Sequence, residues 1–183
     1  MLDFIEQPMD SVTPSSANAV PLVPPEQDQV ADLVRCIVKA ADARKAADIV
    51  ALRVSHVSTL TTFLVILSGN SRPQNQAIAA AITKDVDQAF SLKPGGSGVP
   101  EGSPESGWMV LDYGAVMVHV MTPKSRLYYN VEGQWRDKGG EYMDLSGILI
   151  PNSVVLGDAS GGGGGGQQEQ QQQQEAQDDP FWS

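Results

Sequence analysis

The fold is decided by residues 108–135, WMVLDYGAVMVHVMTPKSRLYYNVEGQW. Trp108–Asp112 and Ala115–Met121 are two β-rich runs set apart by Tyr113-Gly114. Glycine takes the positive φ that a tight two-residue turn requires, so the stretch predicts a β-hairpin. Along the second run Val116, Val118 and Val120 point to one face, and Ala115, Met117, His119 and Met121 to the other. Both faces are largely apolar, as expected of a strand inside a covered sheet. Pro123 then opens a short helical segment carrying Arg126, Tyr128, Tyr129 and Trp135. Three large aromatics and an arginine in so short a space either cap the sheet or meet a partner.

Upstream of the hairpin the periodicity changes twice. Val30, Leu33, Val34, Ile37, Val38 and Ala41 form one stripe of an amphipathic helix. Asp48–Val54 and Thr62–Leu67 then read as strands, the second apolar enough for a buried position. Ser68-Gly69-Asn70-Ser71 is a turn, with Ser71 as N-cap and Pro73 tolerated in the first turn of a helix running to about Phe90. Ile78, Ile82, Val86 and Phe90 share one face of that helix. Residues 91–107 are rich in Gly, Pro and Ser and read as loop with room for a short edge strand.

The order helix, strand, strand, helix, hairpin, helix predicts one α/β domain with a mixed β-sheet covered by helices. Residues 1–25 hold five of the chain's twelve prolines and no hydrophobic period, so they read as a disordered Pro-rich arm. The domain is placed at 26–137, followed by an extension, 138–156, without a clear period. Residues 157–183 are a Gly/Gln-rich tail expected to be disordered, in which Phe181 and Trp182 stand out.

Twelve Lys plus Arg against 22 Asp plus Glu give a net charge of −10. Such a surface repels nucleic acid in general, because phosphate binding rests on cationic side chains, and is attracted to basic proteins. Cys36 is the only cysteine, which removes a disulfide framework or cysteine-based metal site and fits a reducing compartment. The amino-terminal stretch MLDFIEQPMDS is acidic and unlike a signal or transit peptide, so a cytosolic protein is expected.

Candidate chemistry is sparse. His56 lies in a loop and His119 on the hairpin, neither beside a nucleophile-elbow sequence, and His119 reads as a hydrogen-bonded strand histidine. The SGNS turn could hold an anion at a helix N-terminus, yet lacks the P-loop and dinucleotide patterns and also reads as purely structural. Asp112 could ligate a metal, but Ala115 leaves it without the second carboxylate that metal-dependent phosphoryl transfer needs.

The same residues resemble the Iojap, or ribosomal silencing factor, family over roughly 28–137. DIVAL at 48–52 resembles the family's first strand. Ser58–Ala79, STLTTFLVILSGNSRPQNQAIA, resembles its block SSLTDYFVIxSGxSxRQxxAIA. Glu101-Gly102 ahead of Trp108, then WMVLDYGAVMVHV at 108–120, follow its next blocks. Arg126, Tyr128, Tyr129, Val131, Glu132, Trp135 and Asp137 fit RxYYxLExLWxD. Thr62 and Ala115 stand where the family has Asp, Arg53 and His56 where Asp and Gly are common, and Gln134 where an apolar residue precedes the tryptophan.

The resemblance implies a fold similar to the nucleotidyltransferase architecture without its catalytic carboxylates. It implies no enzyme activity and no cofactor. It also implies binding to the large ribosomal subunit through ribosomal protein number fourteen, blocking the small subunit and so repressing translation or assisting large-subunit maturation. Interface hot spots favour aromatics and arginine, which selects Trp108, Asp112, Arg126, Tyr128 and Trp135 as partner-binding residues. Trp108 and Trp135 could equally be core, and Arg126 could pair only with Glu132. Two other readings stand: a diverged nucleotide- and metal-binding enzyme using SGNS and Asp112, and an adaptor acting through its tails. Oligomeric state, a homodimer included, is left open.

Overall fold

The computed structural model describes residues 23–149. The Pro-rich arm, except for its last residues, and the Gly/Gln-rich tail with Phe181 and Trp182 lie outside the described residues. The chain runs α1 (Ala31–Ala43), β1 (Ala47–Arg53), β2 (Phe63–Ser68), α2 (Arg72–Phe90), β3 (Glu101–Ser103), β4 (Trp108–Asp112), β5 (Val116–Met121), α3 (Pro123–Tyr129), α4 (Val131–Asp137) and β6 (Glu141–Tyr142). The strands form one mixed sheet in the order β3-β4-β5-β2-β1-β6. β2 and β5 are parallel, and every other neighbouring pair is antiparallel.

Strand alternation gives the sheet two faces with separate cores. On one face α1 and α2 lie over Ala51, Phe63, Val65, Leu67, Val116, Val118 and Val120. The predicted stripe of α1 is buried there: Leu33, Val34, Ile37, Val38 and Ala41. Ile78, Ile82 and Val86 of α2 are buried as expected, but Phe90, the helix's last residue, is partly exposed. Ser91 caps the helix one position later, in the left-handed conformation. On the other face Leu52, Val54, Leu64, Ile66 and Met121 form a smaller core beneath α3 and α4.

Three expectations change on contact with the structure. The hairpin register pairs Asp112 with Met117, and the Tyr113 N–H donates to the Val116 carbonyl, so the two loop residues are Gly114 and Ala115. Asp112 fixes this: its Oδ1 accepts from the Gly114 N–H at 2.7 Å, and Gly114 takes φ +76°. The Ala115 carbonyl accepts from the N–H groups of Thr62 and Phe63, at the entry to β2.

The single helix expected after Pro123 is two helices broken at Asn130, which sits at φ 44°, ψ 44°. Asparagine tolerates that left-handed conformation. Its N–H closes α3 on Arg126, and its side chain caps α4 by accepting from the Gly133 N–H at 3.2 Å.

The packed fold also continues beyond Asp137. β6 pairs with Leu52 and Arg53 at the edge of β1, and Met143 and Leu145 are buried in the larger core. Two strand residues followed by a turn are too short to show a period in sequence. The expected edge strand in the 91–107 loop is present as β3.

Candidate functional site

The first face of the sheet is covered by two helices of 13 and 19 residues, and the second by two of 7. The second face is therefore covered by shorter helices than the first. There a cavity of about 260 Å³ lies between the sheet and α3–α4, walled by Leu60, Trp108, Met117, His119, Tyr129 and Trp135 among others. Leu60, in the loop before β2, is 76% exposed at its rim.

The aromatic wall is held in place by specific contacts. The Trp108 indole N–H donates to His119 Nδ1 at 3.1 Å, and its ring lies 4.8 Å from that of Tyr129. Tyr128 meets Tyr129 edge-on at 5.0 Å and is 81% exposed, and Leu127 beside it is 84% exposed. Trp135 forms part of the cavity wall with the Lys138 ammonium 4.5 Å from its ring centre, a cation–π contact. His119 is only 6% exposed, and burial pushes its pKa down to about 4, so the ring is neutral at physiological pH.

The sequence-selected residues separate on this geometry. Trp108 and Trp135 come together in the cavity wall, and Tyr128 extends the same apolar surface along α3. Asp112 is at the hairpin turn, where it accepts from Gly114. Arg126 is engaged internally: Nη1 donates to the Asp48 carbonyl at 2.7 Å and to Ser68 Oγ at 3.3 Å, and Nη2 to Glu132 at 2.7 Å. The Tyr142 hydroxyl donates to the other oxygen of Glu132 at 3.0 Å, joining β6 to this network. Tyr129, Met117, His119 and Leu60 belong to the site but were not selected. Met117 and His119 share a strand face with Met121, the partner of Trp108, so the hairpin pairing carried that signal. Leu60 lies in an aperiodic loop and carried none.

The SGNS turn is closed by its own chain. Ser71 Oγ accepts from the Gln74 N–H at 3.2 Å, and the Gln74 side chain accepts from the Asn70 N–H at 2.8 Å. Gly69 is required here, since a Cβ would lie 2.0 Å from Oδ1 of the buried Asn75.

At the β1–β6 edge, Arg53 is wholly buried and ion-pairs with Glu141 at 2.6 Å and Asp28 at 3.7 Å. His56 Nε2 lies 2.6 Å from the Gly139 carbonyl oxygen. Both positions depart from the family pattern, and here both tie down the segment after α4. Among the described residues, no group of three His, Cys, Asp or Glu side chains is placed to hold a metal, and no helix is long and apolar enough to cross a membrane.

Fold and cavity together define a single-sheet α/β domain, closed on one face and carrying an aromatic groove on the other. A family described as "Ribosomal silencing factor during starvation" matches residues 27–179, and the chain belongs to that family. It is 34% identical over 119 residues to the "Ribosomal silencing factor RsfS" of Halalkalibacterium halodurans, covering 64% of this chain and 96% of that protein. To the maize "Protein Iojap, chloroplastic" it is 30% identical over 131 residues, covering 71% of this chain and 55% of that one. The fold is similar to a crystal structure of a Chromobacterium violaceum protein, with a TM-score of 0.55 and 27% identity, over 60% of this chain and 88% of that one.

Proposed function

We propose that this chain binds the large ribosomal subunit through ribosomal protein number fourteen and, by occupying it, blocks docking of the small subunit. Translation is then repressed, or a maturing large subunit kept unpaired, by steric occlusion without turnover. The observation that carries this reading is the groove between the sheet and α3–α4, where Trp108, Tyr129, Met117, Trp135 and the exposed Leu60 form a largely apolar wall. Buried aromatic anchors supply most of the energy in such contacts. The family's name supplies the ribosome.

In this reading Trp108, Tyr128 and Trp135 are partner-facing. Arg126 acts from within, fixing α3 against β1 and β2 so that Tyr128 and Tyr129 present the right edge. Asp112 sets the hairpin turn at the far end of β4 and supports the groove's outer strand. Residues 1–25 and 157–183 are dispensable for docking.

The test mixes purified protein with isolated large subunits and follows both through a sucrose gradient, with and without small subunits. Comigration with the large subunit together with a loss of joined ribosomes is expected. Protein that stays at the top of the gradient even at low salt refutes the reading.

A further inference from the structure

We propose that His119 is a specificity-determining donor of the groove: its Nδ1 holds the Trp108 indole, and its Nε2–H is offered to a backbone carbonyl oxygen of the docked protein. This deepens the functional reading above and rests on the groove being the docking surface.

The indole N–H is a donor only, so at 3.1 Å His119 Nδ1 must accept. A neutral imidazole with an accepting Nδ1 carries its proton on Nε2. The ring is neutral because it is enclosed: it is 6% exposed, and burial pushes its pKa down to about 4. The ring also lines the cavity, so the tautomer fixed by Trp108 sets a neutral donor beside Leu60, Leu64 and Met117, in a wall whose other polar side chains include Ser58, Thr61 and Gln134.

That combination is selective. Docking expels water from the groove, and a donor left without a partner there loses binding, while one that meets an acceptor keeps it. A lysine or arginine head brings donors only and cannot satisfy Nε2–H. The group that meets Nε2–H is therefore an acceptor, a carbonyl oxygen, and not a cationic head. His119 at the same time fixes the rotamer of Trp108, so the donor and the largest aromatic anchor are positioned together.

Two measurements test this. In the unmodified chain, long-range 15N NMR of the imidazole at neutral pH is expected to show the Nε2–H tautomer, with the Trp108 indole N–H, assigned through Trp108→Phe, protected from exchange. An imidazolium or an Nδ1–H tautomer overturns the proposal. The second measurement is cosedimentation of His119→Asn with large subunits. Asparagine keeps an acceptor near the position of Nδ1 and removes the donor at Nε2. Its Trp108 indole resonance is expected to remain protected while affinity falls roughly 3- to 10-fold.

Unchanged affinity with a protected indole overturns the partner-facing half and leaves His119 a purely structural support. If the unmodified chain does not bind large subunits, the functional reading fails and takes that half with it. The NMR result still decides the Trp108–His119 half, whether or not His119→Asn folds.

Discussion

The two faces of the sheet are built from one set of strands yet treated oppositely. The α1–α2 face is covered along its length, and its residues from β2 and β5 are wholly buried. The α3–α4 face is covered by two helices of about two turns each, and between them and the sheet Trp108, Tyr129 and Trp135 stand around a cavity. In a domain of this size both faces could be used for stability. The difference teaches that on the second face polar bonds orient aromatics around a cavity where the first face is closed by long helices.

The contrast can be broken most forcefully on the closed face. Ile82→Ala, wholly buried between α2 and the sheet, is expected to destabilise by about 2–5 kcal/mol in chemical denaturation while leaving the groove's ligand affinity unchanged in what stays folded. Next is the pH response of the open face. The His119 pKa is lower in the folded chain, about 4, than its ordinary 6.5. The unfolded chain therefore binds the proton more readily, and this contribution to stability is complete above about pH 6.5 and lost as pH falls toward 4. Denaturation midpoints of the chain and of His119→Asn, compared across that window, should converge at the acid end.

At the β1–β6 edge, Glu141→Gln leaves the buried Arg53 with only the more distant Asp28. It is expected to cost about 1–3 kcal/mol, and Arg53→Met less, because breaking a buried pair is worse than replacing it. Parallel melts of the two variants read this order. The smallest stability effect belongs to the rim: Leu60→Ala should stay within about 0.5 kcal/mol of the parent, since the side chain is exposed.

What was legible in the sequence follows the same division. The covered face announces itself by period: Leu33, Val34, Ile37 and Val38 in α1, and the valines of β5, lie where spacing puts them. The open face was legible by residue type for Trp108 and Trp135, which cluster in the cavity wall. It was not legible for Leu60, brought in by a loop, or for Arg126, whose guanidinium reaches a carbonyl 78 residues away. β6 was hidden for the same reason: its place depends on Arg53 meeting Glu141, 88 residues along the chain. Period reports local geometry, and these contacts are tertiary.

The most direct test of the open face as a docking surface is sedimentation of Leu60→Lys beside the unmodified chain in the presence of large ribosomal subunits. The substitution adds a positive charge at an exposed rim position without touching either core. Against a basic partner it is repulsive, so the unmodified chain should move with the large subunit and Leu60→Lys should remain near the top of the gradient with an unchanged melting temperature. Equal comigration of both proteins would contradict the account, and place the contact on another surface of the domain.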